Sequence, residues 1–337
     1  MGNTKPVLIT GGAGFIGSHL VDLLQEKGIK YLILDNLSTG MVENIPEAIN
    51  SNSFVCGDVN DHKLLSELIT NSSMVIHLAS TVGVKNVISN PLETIDTNVN
   101  SLKFIAGICT AKKIPLIFFS SSLVYSSYRG NNCVFSEDDQ VHSLGFHPVS
   151  MYTVSKQMGE LICEHYRNSG GLKYIIIRPF NLIGIRQRSD SGMVVPTFIR
   201  SALETKIINV YGTGKQTRVF SDVKAAVKLL WQLIKEESSY GQIFNLAASD
   251  YSISMIELAE TIKCILNEPI MIKLIPYQNV FGDSFVDVQS RSPSLVKLKA
   301  ATVFEKRRNL NSVLKEIIEY EKNMAAGNNC RSRDQLI

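Results

Sequence analysis

Residues 8 to 17 read Leu-Ile-Thr-Gly-Gly-Ala-Gly-Phe-Ile-Gly, and eighteen positions after Gly17 an aspartate, Asp35, closes the apolar run Tyr31-Leu-Ile-Leu34. Each part of this stretch has a separate physical task. An apolar strand feeds a turn containing Gly11 and Gly14, where a side chain would obstruct a bound pyrophosphate. The helix that opens at Phe15 and Ile16 points its free N–H groups at phosphates. Gly17 lets that helix lie close against the strand, and Asp35, at the tip of the second strand, can accept hydrogen bonds from an adenosine ribose. A glycine triplet alone is a weak signal in a chain with 22 glycines. The strand before it, the helix after it and the acid at this distance make dinucleotide binding the better reading, because a bare strand-helix turn leaves Asp35 unexplained. The carboxylate also favours NAD over NADP, since it would repel a 2′-phosphate.

The rest of the chain repeats the strand-helix theme. Val7-Ile9, Tyr31-Leu34, Phe54-Cys56, Met74-Leu78, Leu116-Phe119, Tyr174-Ile177 and Ile243-Leu246 are short apolar runs suited to strands buried on both faces. Helical patterns fall between most of them: Phe15 to Glu26, Lys63 to Thr70, Pro91 to Lys112, Met151 to Asn168 and Asp222 to Glu236. The alternation predicts an α/β chain with a Rossmann-type, doubly wound parallel sheet. After Asn181 loops lengthen and strands become less regular. This predicts a NAD-binding domain over 1–181 plus 217–248, a smaller α/β substrate-binding lobe over 182–216 plus 249–330, and a frayed polar tail over 331–337.

Bulk composition excludes several classes. A net charge of +3 is too small to suggest nucleic acid, and no basic run interleaves with aromatics. The longest apolar runs are strand-length, far short of a membrane span. The N-terminus enters the first strand directly, unlike a signal peptide. The six cysteines are scattered, with no pairs at metal spacing, which fits a reducing, cytoplasmic setting and no metal site. His142 and His147 lie near Asp138 and Asp139, but their spacing matches no standard site and a solvated loop is the simpler reading. His77, ending an apolar strand, reads as structural.

Tyr152 and Lys156 open a helix four residues apart, which puts both side chains on one face. A lysine cation beside a phenol favours the phenolate, so the pattern predicts a tyrosine pKa lowered from about 10 toward neutrality. A bound nicotinamide cation would act in the same direction. Such a tyrosine is a usable base for a substrate hydroxyl. Taken alone, the pair is an ordinary exposed helix pair. The strand Leu116-Phe119, however, ends upstream in Ser120-Ser-Ser122, and ligands of doubly wound sheets gather at the carboxyl ends of strands. Serine hydroxyls there can give and accept hydrogen bonds, although three serines can equally cap a turn. Serine, tyrosine and lysine downstream of the dinucleotide fingerprint describe a hydride-transfer site that deprotonates a carbinol.

With these residues in place, the chain resembles the extended short-chain dehydrogenase/reductases, in particular the NAD-dependent nucleotide-sugar epimerase/dehydratase family. Matching motifs run from Thr10-Gly-Gly-Ala-Gly-Phe-Ile-Gly17 through Asp58-Val59, His77-Leu-Ala-Ser80, Asn98, Ser120-Ser-Ser-Leu-Val-Tyr125 and Tyr152…Lys156. They continue to Arg178-Pro-Phe-Asn181, Gly192-Met-Val-Val-Pro196, Val210-Tyr-Gly212, Thr217-Arg218 and Ser290-Arg-Ser-Pro293. The resemblance implies cofactor binding by Gly11, Gly14, Phe15, Ile16, Gly17, Asp35, Asn36, Asp58, Val59, Leu78, Ala79, Ser80 and Asn98. It implies that Tyr152 is the base, that Lys156 binds the nicotinamide ribose and tunes the tyrosine, and that Ser121 touches the reacting sugar oxygen beside Ser122. Asn181, Val195, Tyr211, Arg218 and Arg291 match the nucleoside-diphosphate pocket, where guanidinium groups would clamp a diphosphate. The resemblance further implies a homodimer paired through the helices at 91–112 and 151–168.

Departures from the family pattern bear on the reaction. Dehydratases of the family carry an Asp-Glu pair where Ser122 and Leu123 stand, to remove a C5 proton and expel a C6 hydroxyl. Decarboxylating relatives usually carry a glutamate at the position of Leu123. Ser126 stands where glycine is usual, and Ser294 where aspartate is common. The resulting expectation is C4 epimerisation of a nucleotide sugar, most simply a UDP-sugar, with tightly held NAD. Dehydration, decarboxylation or keto-sugar reduction is the alternative, and a dinucleotide-fold protein that binds without turnover is the more distant one.

Overall fold

The computed structural model describes residues 5–81, 90–125, 134–139, 150–281, 289–304 and 308–334. Along the chain, β1 (Val7–Thr10) leads into α1 (Phe15–Glu26), β2 (Tyr31–Asp35), the short α2 (Pro46–Asn50), β3 (Phe54–Cys56), α3 (His62–Thr70) and β4 (Met74–His77). Next come α4 (Pro91–Ile95), a π-helical turn over Asp96–Asn100, α5 (Ser101–Lys112), β5 (Leu116–Phe119), a 3-10 turn over Ser122–Tyr125, β6 (Val134–Phe135) and α6 (Ser150–Gly170). β7 (Tyr174–Pro179) and β8 (Leu182–Ile183) precede α7 (Val194–Thr205), β9 (Ile207–Tyr211), β10 (Thr217–Val219), β11 (Ser221–Asp222), α8 (Val223–Lys235) and β12 (Gln242–Leu246). β13 (Ser252–Ser254), α9 (Met255–Leu266), β14 (Met271–Ile275), α10 (Gln278–Phe281), β15 (Ser290–Pro293), α11 (Val296–Ala301) and α12 (Leu310–Asp334) complete the order.

All seven apolar runs become the strands of one parallel sheet, in the order β12-β7-β5-β4-β1-β2-β3. Successive strand residues point to opposite faces, and both faces are covered. Val7 and Ile9 join Ile117 and Ile177 under α1 and α8, where Leu20, Leu24, Leu230 and Leu233 are buried. Leu8, between them, faces the other way with Val75, Phe118 and Ile176, under Leu65, Leu102, Ile105 and Cys163 of α3, α5 and α6. Each fully buried Leu or Ile contributes about 1.5–3 kcal/mol through removal of apolar surface from water. Strand order reverses between β1 and β4, so a crevice opens there at the carboxyl ends of the strands, where ligands of such sheets bind.

The second lobe has its own core, built from Phe198, Ile199, Val210, Leu258, Ile262, Val313, Leu314 and Ile317. Its four-stranded sheet runs β13-β10-β15-β6, and β14 pairs with β9 in a separate ladder. β10 therefore belongs to the small sheet, and the return to the large one begins after it, with β11 beside β8, then α8 and β12. α12 continues to Asp334, into the stretch where the sequence predicts a frayed tail. Its first turns are anchored by Val313, Leu314, Ile317 and Ile318 in the lobe core, and the helix propagates from there. Among the described residues, no helix is long and apolar enough to cross a membrane.

Candidate active site

The crevice between β1 and β4 is shaped by missing side chains. Gly11 has φ +73°, and a Cβ there would lie 2.7 Å from the Ala79 backbone nitrogen. A Cβ on Gly17 would stand 2.3 Å from the Gly11 carbonyl oxygen and 2.7 Å from Gly12 Cα, so only glycine lets α1 seat on the turn. Gly14 is the N-cap of α1 and offers no side chain to its first turn, in contrast to Asp61 on α3, whose carboxylate accepts from Lys63 and Leu64 N–H. The start of α1 is thereby left able to donate to an anion. Phe15 and Ile16 are half-buried against the core beneath it.

Asp35 stands at the end of β2, only 8% exposed, and accepts the Ala13 N–H at 3.0 Å and the Leu37 N–H at 2.9 Å. Burial raises its carboxyl above the usual range, and those two N–H donors oppose the rise. Next to it, Asn36 Nδ2 donates to Asp58 Oδ2 at 2.8 Å, and Val59 is buried in the core below. On the other wall, Leu78 N–H donates to the Thr10 carbonyl and Ala79 N–H to the Thr10 hydroxyl. That hydroxyl is also bonded to His77 Nδ1 at 2.7 Å, and burial drives the imidazole pKa down to about 3, so His77 stays neutral and braces β1 against β4. Asn98 sits in the π-helical turn that interrupts the helix predicted over 91–112. Its Oδ1 accepts from Ser80 Oγ (3.0 Å) and Thr81 N (2.8 Å), while Nδ2 donates to Ser155 Oγ (3.0 Å) on α6. Such turns recur at functional sites because the extra residue re-aims a side chain. Glycine turn, open helix start and rim carboxylate together fit a dinucleotide.

On α6, Tyr152, Lys156 and Glu160 form one stripe facing the end of β5. The helix comes this close because position 159 is glycine: a Cβ there would lie 2.5 Å from Phe118 Cζ. Lys156, 3% exposed, donates from Nζ to the Phe119 carbonyl at 2.9 Å and lies 5.8 Å from the Tyr152 ring centre. Ser121 Oγ accepts the Leu123 N–H at 3.1 Å and stands near enough to the half-buried Tyr152 phenol to favour its ionised form. The predicted tuning needs correcting. Burial pushes the Tyr152 phenol up to about 12, with Ser121 opposing, and the same burial lowers Lys156 to about 7. The ammonium is committed to a backbone carbonyl rather than to the phenol, so the protein's own side chains do not bring the phenolate near neutrality.

In the second lobe, Arg218 on β10 and Arg291 on β15 are register partners on adjacent parallel strands, so their half-buried side chains leave the same face of the small sheet. Asn181 Nδ2 donates to the Val219 carbonyl at 2.9 Å, tying the end of β7 to β10. Val195 is buried in the lobe core, which leaves only its backbone N–H, in the first turn of α7, to meet a ligand. Tyr211 ends β9, with its carbonyl accepting from Gln216 Nε2 at 2.9 Å. Ser122 is buried and Leu123 half-buried, and neither brings an acid to the strand end. Ser126, His142 and His147 lie outside the described residues.

Sequence reasoning passed over one cluster. Glu160 and Arg178 form a buried ion pair with two bonds, Nε to Oε1 at 2.9 Å and Nη2 to Oε2 at 2.6 Å. The signals were an acid two turns after Tyr152 on the inward face of α6, and an arginine ending the apolar run Tyr174-Ile177.

Comparison with known proteins gives the family. Residues 7–247 match the model of the NAD dependent epimerase/dehydratase family. The chain is 32% identical to the UDP-N-acetyl-alpha-D-glucosaminuronate decarboxylase of Bacillus cytotoxicus, over 94% of this chain and 97% of that protein. Among solved structures it is similar to the UDP-N-acetylglucosamine 4-epimerase of Methanobrevibacter ruminantium, in complex with UDP-N-acetylmuramic acid (28% identity, TM-score 0.84, 95% and 99% of the two chains). It is also similar to MoeE5 in complex with UDP-glucuronic acid and NAD (26% identity, TM-score 0.78, 95% and 99%). With the crevice, the serine-tyrosine-lysine cluster and these likenesses together, the cofactor is NAD and the chain belongs to the NAD-dependent epimerase/dehydratase family.

Proposed function

We infer that the chain is an epimerase that inverts C4 of a UDP-sugar through a transient 4-keto sugar. One observation carries this reading: Ser121 stands beside the Tyr152 phenol at the end of β5, while the next two residues, Ser122 and Leu123, bring no acid. Tyr152 takes the proton of the C4 hydroxyl and returns it when the hydroxyl re-forms. Ser121 holds the same oxygen. Lys156, 5.8 Å from the Tyr152 ring centre, favours the phenolate only in part, and the nicotinamide cation of bound NAD would act in the same direction. Arg218 and Arg291 grip the diphosphate by forked, charge-assisted bonds. NAD, when bound, supplies the acceptor and then the donor of the C4 hydride. With no carboxylate at positions 122 and 123 to draw off a C5 proton or help expel a C6 hydroxyl, the keto sugar turns over and is reduced on its other face. The likeness to a UDP-sugar 4-epimerase supports the substrate class.

Incubation with UDP-glucose, UDP-N-acetylglucosamine and UDP-glucuronic acid in deuterated water tests the reading. The expected product has the substrate's mass, is inverted at C4 and carries no carbon-bound deuterium. Loss of the mass of water, with label at C5, would sink it in favour of dehydration. A second reading, decarboxylation, is favoured by the decarboxylase relative. A uronic acid oxidised at C4 is a β-keto acid that loses carbon dioxide without an acidic residue, so release of carbon dioxide from UDP-glucuronic acid would establish it.

Arg218→Ala is expected to weaken UDP binding by about 1.5–3 kcal/mol, the range for a hydrogen bond to a charged group. Calorimetry with UDP alone checks this, and an unchanged affinity would move the diphosphate away from Arg218.

The reading includes a homodimer in a reducing, cytoplasmic setting. Val154, Met158 and Leu161 form an exposed stripe on α6, with Leu92 of α4 74% exposed nearby in sequence to the helix that packs against it. Burying this stripe against a second copy would remove it from water, and a monomeric mass by sedimentation would overturn the assembly. Cys56, Cys109, Cys163 and Cys264 are free thiols, consistent with the compartment.

A further inference from the structure

The buried ion pair Glu160–Arg178 is the centre of a longer chain of hydrogen bonds. At one end, Ser120 Oγ donates to Glu160 Oε1 at 2.5 Å. Ser120 lies between Phe119, whose carbonyl holds Lys156, and Ser121, the neighbour of the Tyr152 phenol. Arg178 gives Glu160 two bonds and uses its remaining nitrogen, Nη1, on the Tyr125 hydroxyl at 2.6 Å, with its guanidinium 4.7 Å from the Tyr125 ring centre. Tyr125 in turn donates to Asn245 Oδ1 at 2.8 Å. Asn245, fully buried, donates from Nδ2 to the Phe135 carbonyl at 2.9 Å and the Ser294 carbonyl at 3.3 Å. Phe135 is in β6, which pairs with β15, and β15 carries Arg291 beside Arg218 of β10.

Taking two charges out of water is costly, and well-packed apolar side chains often hold a core as well or better. A satisfied polar network is directional in a way an apolar core is not. We propose that the chain Ser120–Glu160–Arg178–Tyr125–Asn245 positions Ser121 against Tyr152 and sets both relative to the strands that carry Arg218 and Arg291. These are positioning residues: none needs to touch the substrate. The proposal rests on the site reading above, in which Ser121 and Tyr152 meet the sugar and the arginines meet the diphosphate.

Tyr125→Phe removes one hydroxyl and keeps the ring that stacks on Phe135, 5.1 Å away. Ser120→Ala removes one hydroxyl at the far end and carries the same test if Tyr125→Phe fails to fold. In the NAD-containing protein, with whichever UDP-sugar of the panel the wild type converts fastest, each variant should lose about 10–100-fold in kcat, the scale on which misplaced reacting groups slow a reaction. UDP affinity should stay at the wild-type value, because the arginines keep their strands. Combined with Ser121→Ala, each should cost less than its separate loss, because a serine that is absent cannot be misplaced. Normal kcat in both variants, losses that multiply in the doubles, or a matching fall in UDP affinity would overturn the positioning role. Full activity in Ser121→Ala, or no turnover by the wild type with any of the panel, would instead overturn the site reading and this inference with it.

Discussion

Tyr152→Phe is expected to keep the fold, the cofactor and UDP binding while losing about 10²–10⁴-fold in turnover, the usual contribution of a positioned general base. The phenyl ring keeps its place on α6, and only the phenol oxygen beside Ser121 goes. The pH dependence follows from the same geometry. Burial raises the phenol to about 12 and lowers Lys156 to about 7, so the base form of the tyrosine is scarce at neutral pH unless a cation is kept beside it. Lys156→Met removes the ammonium that Lys156 carries below about 7, so the loss of turnover should be greatest on the acid side of that value. Single-turnover rates across a pH series would show both effects. A Tyr152→Phe protein with near-normal turnover would remove this residue from the chemistry.

Glu160→Ala is expected to cost about 3–5 kcal/mol of folding stability, because it strands a buried guanidinium. Arg178 is only 3% exposed. In the wild type burial works against its charge and Glu160 and Tyr125 outweigh that; without Glu160 the guanidinium still keeps its proton, as arginine does throughout proteins, so it cannot escape the loss by deprotonating. The single variant leaves Arg178 with the Tyr125 hydroxyl and the Glu137 carbonyl. Replacing both partners with apolar side chains, as in Glu160→Leu with Arg178→Met, should restore much of the stability, since no buried charge then remains. Urea unfolding of the two proteins checks the contrast. A loss below about 1 kcal/mol in Glu160→Ala, the range of an exposed pair, would show that solvent reaches the guanidinium. If the double variant is stable yet slow, the pair serves placement rather than stability.

What the sequence determined by itself is whatever depends on near neighbours in the chain. Strand runs, helix periods and the glycine turn are written in local patterns of apolarity and backbone freedom, and each of the seven runs became a strand of the large sheet. Gly17 shows why this part was legible: its Cβ would strike the backbone of Gly11 and Gly12, a few residues away in the same turn. The spacing of Tyr152 and Lys156 and the serines after β5 were legible in the chain, the family likeness picked out Ser121 among them, and the fold brings the three to the end of β5. The tertiary structure decided what depends on burial and on distant partners. The direction of the Tyr152 shift could not be read from Lys156 four residues on, because desolvation outweighs a nearby charge and is set by the whole cleft. The π-helical turn that aims Asn98 at Ser80 and Ser155 is invisible to a periodicity that reads 91–112 as one helix. The positioning chain joins Tyr125 to Asn245 across 120 residues, and Arg218 meets Arg291 only through strand pairing. Such contacts carry no local signature, because a buried hydrogen bond is specified by where two strands arrive in space rather than by the residues that flank them.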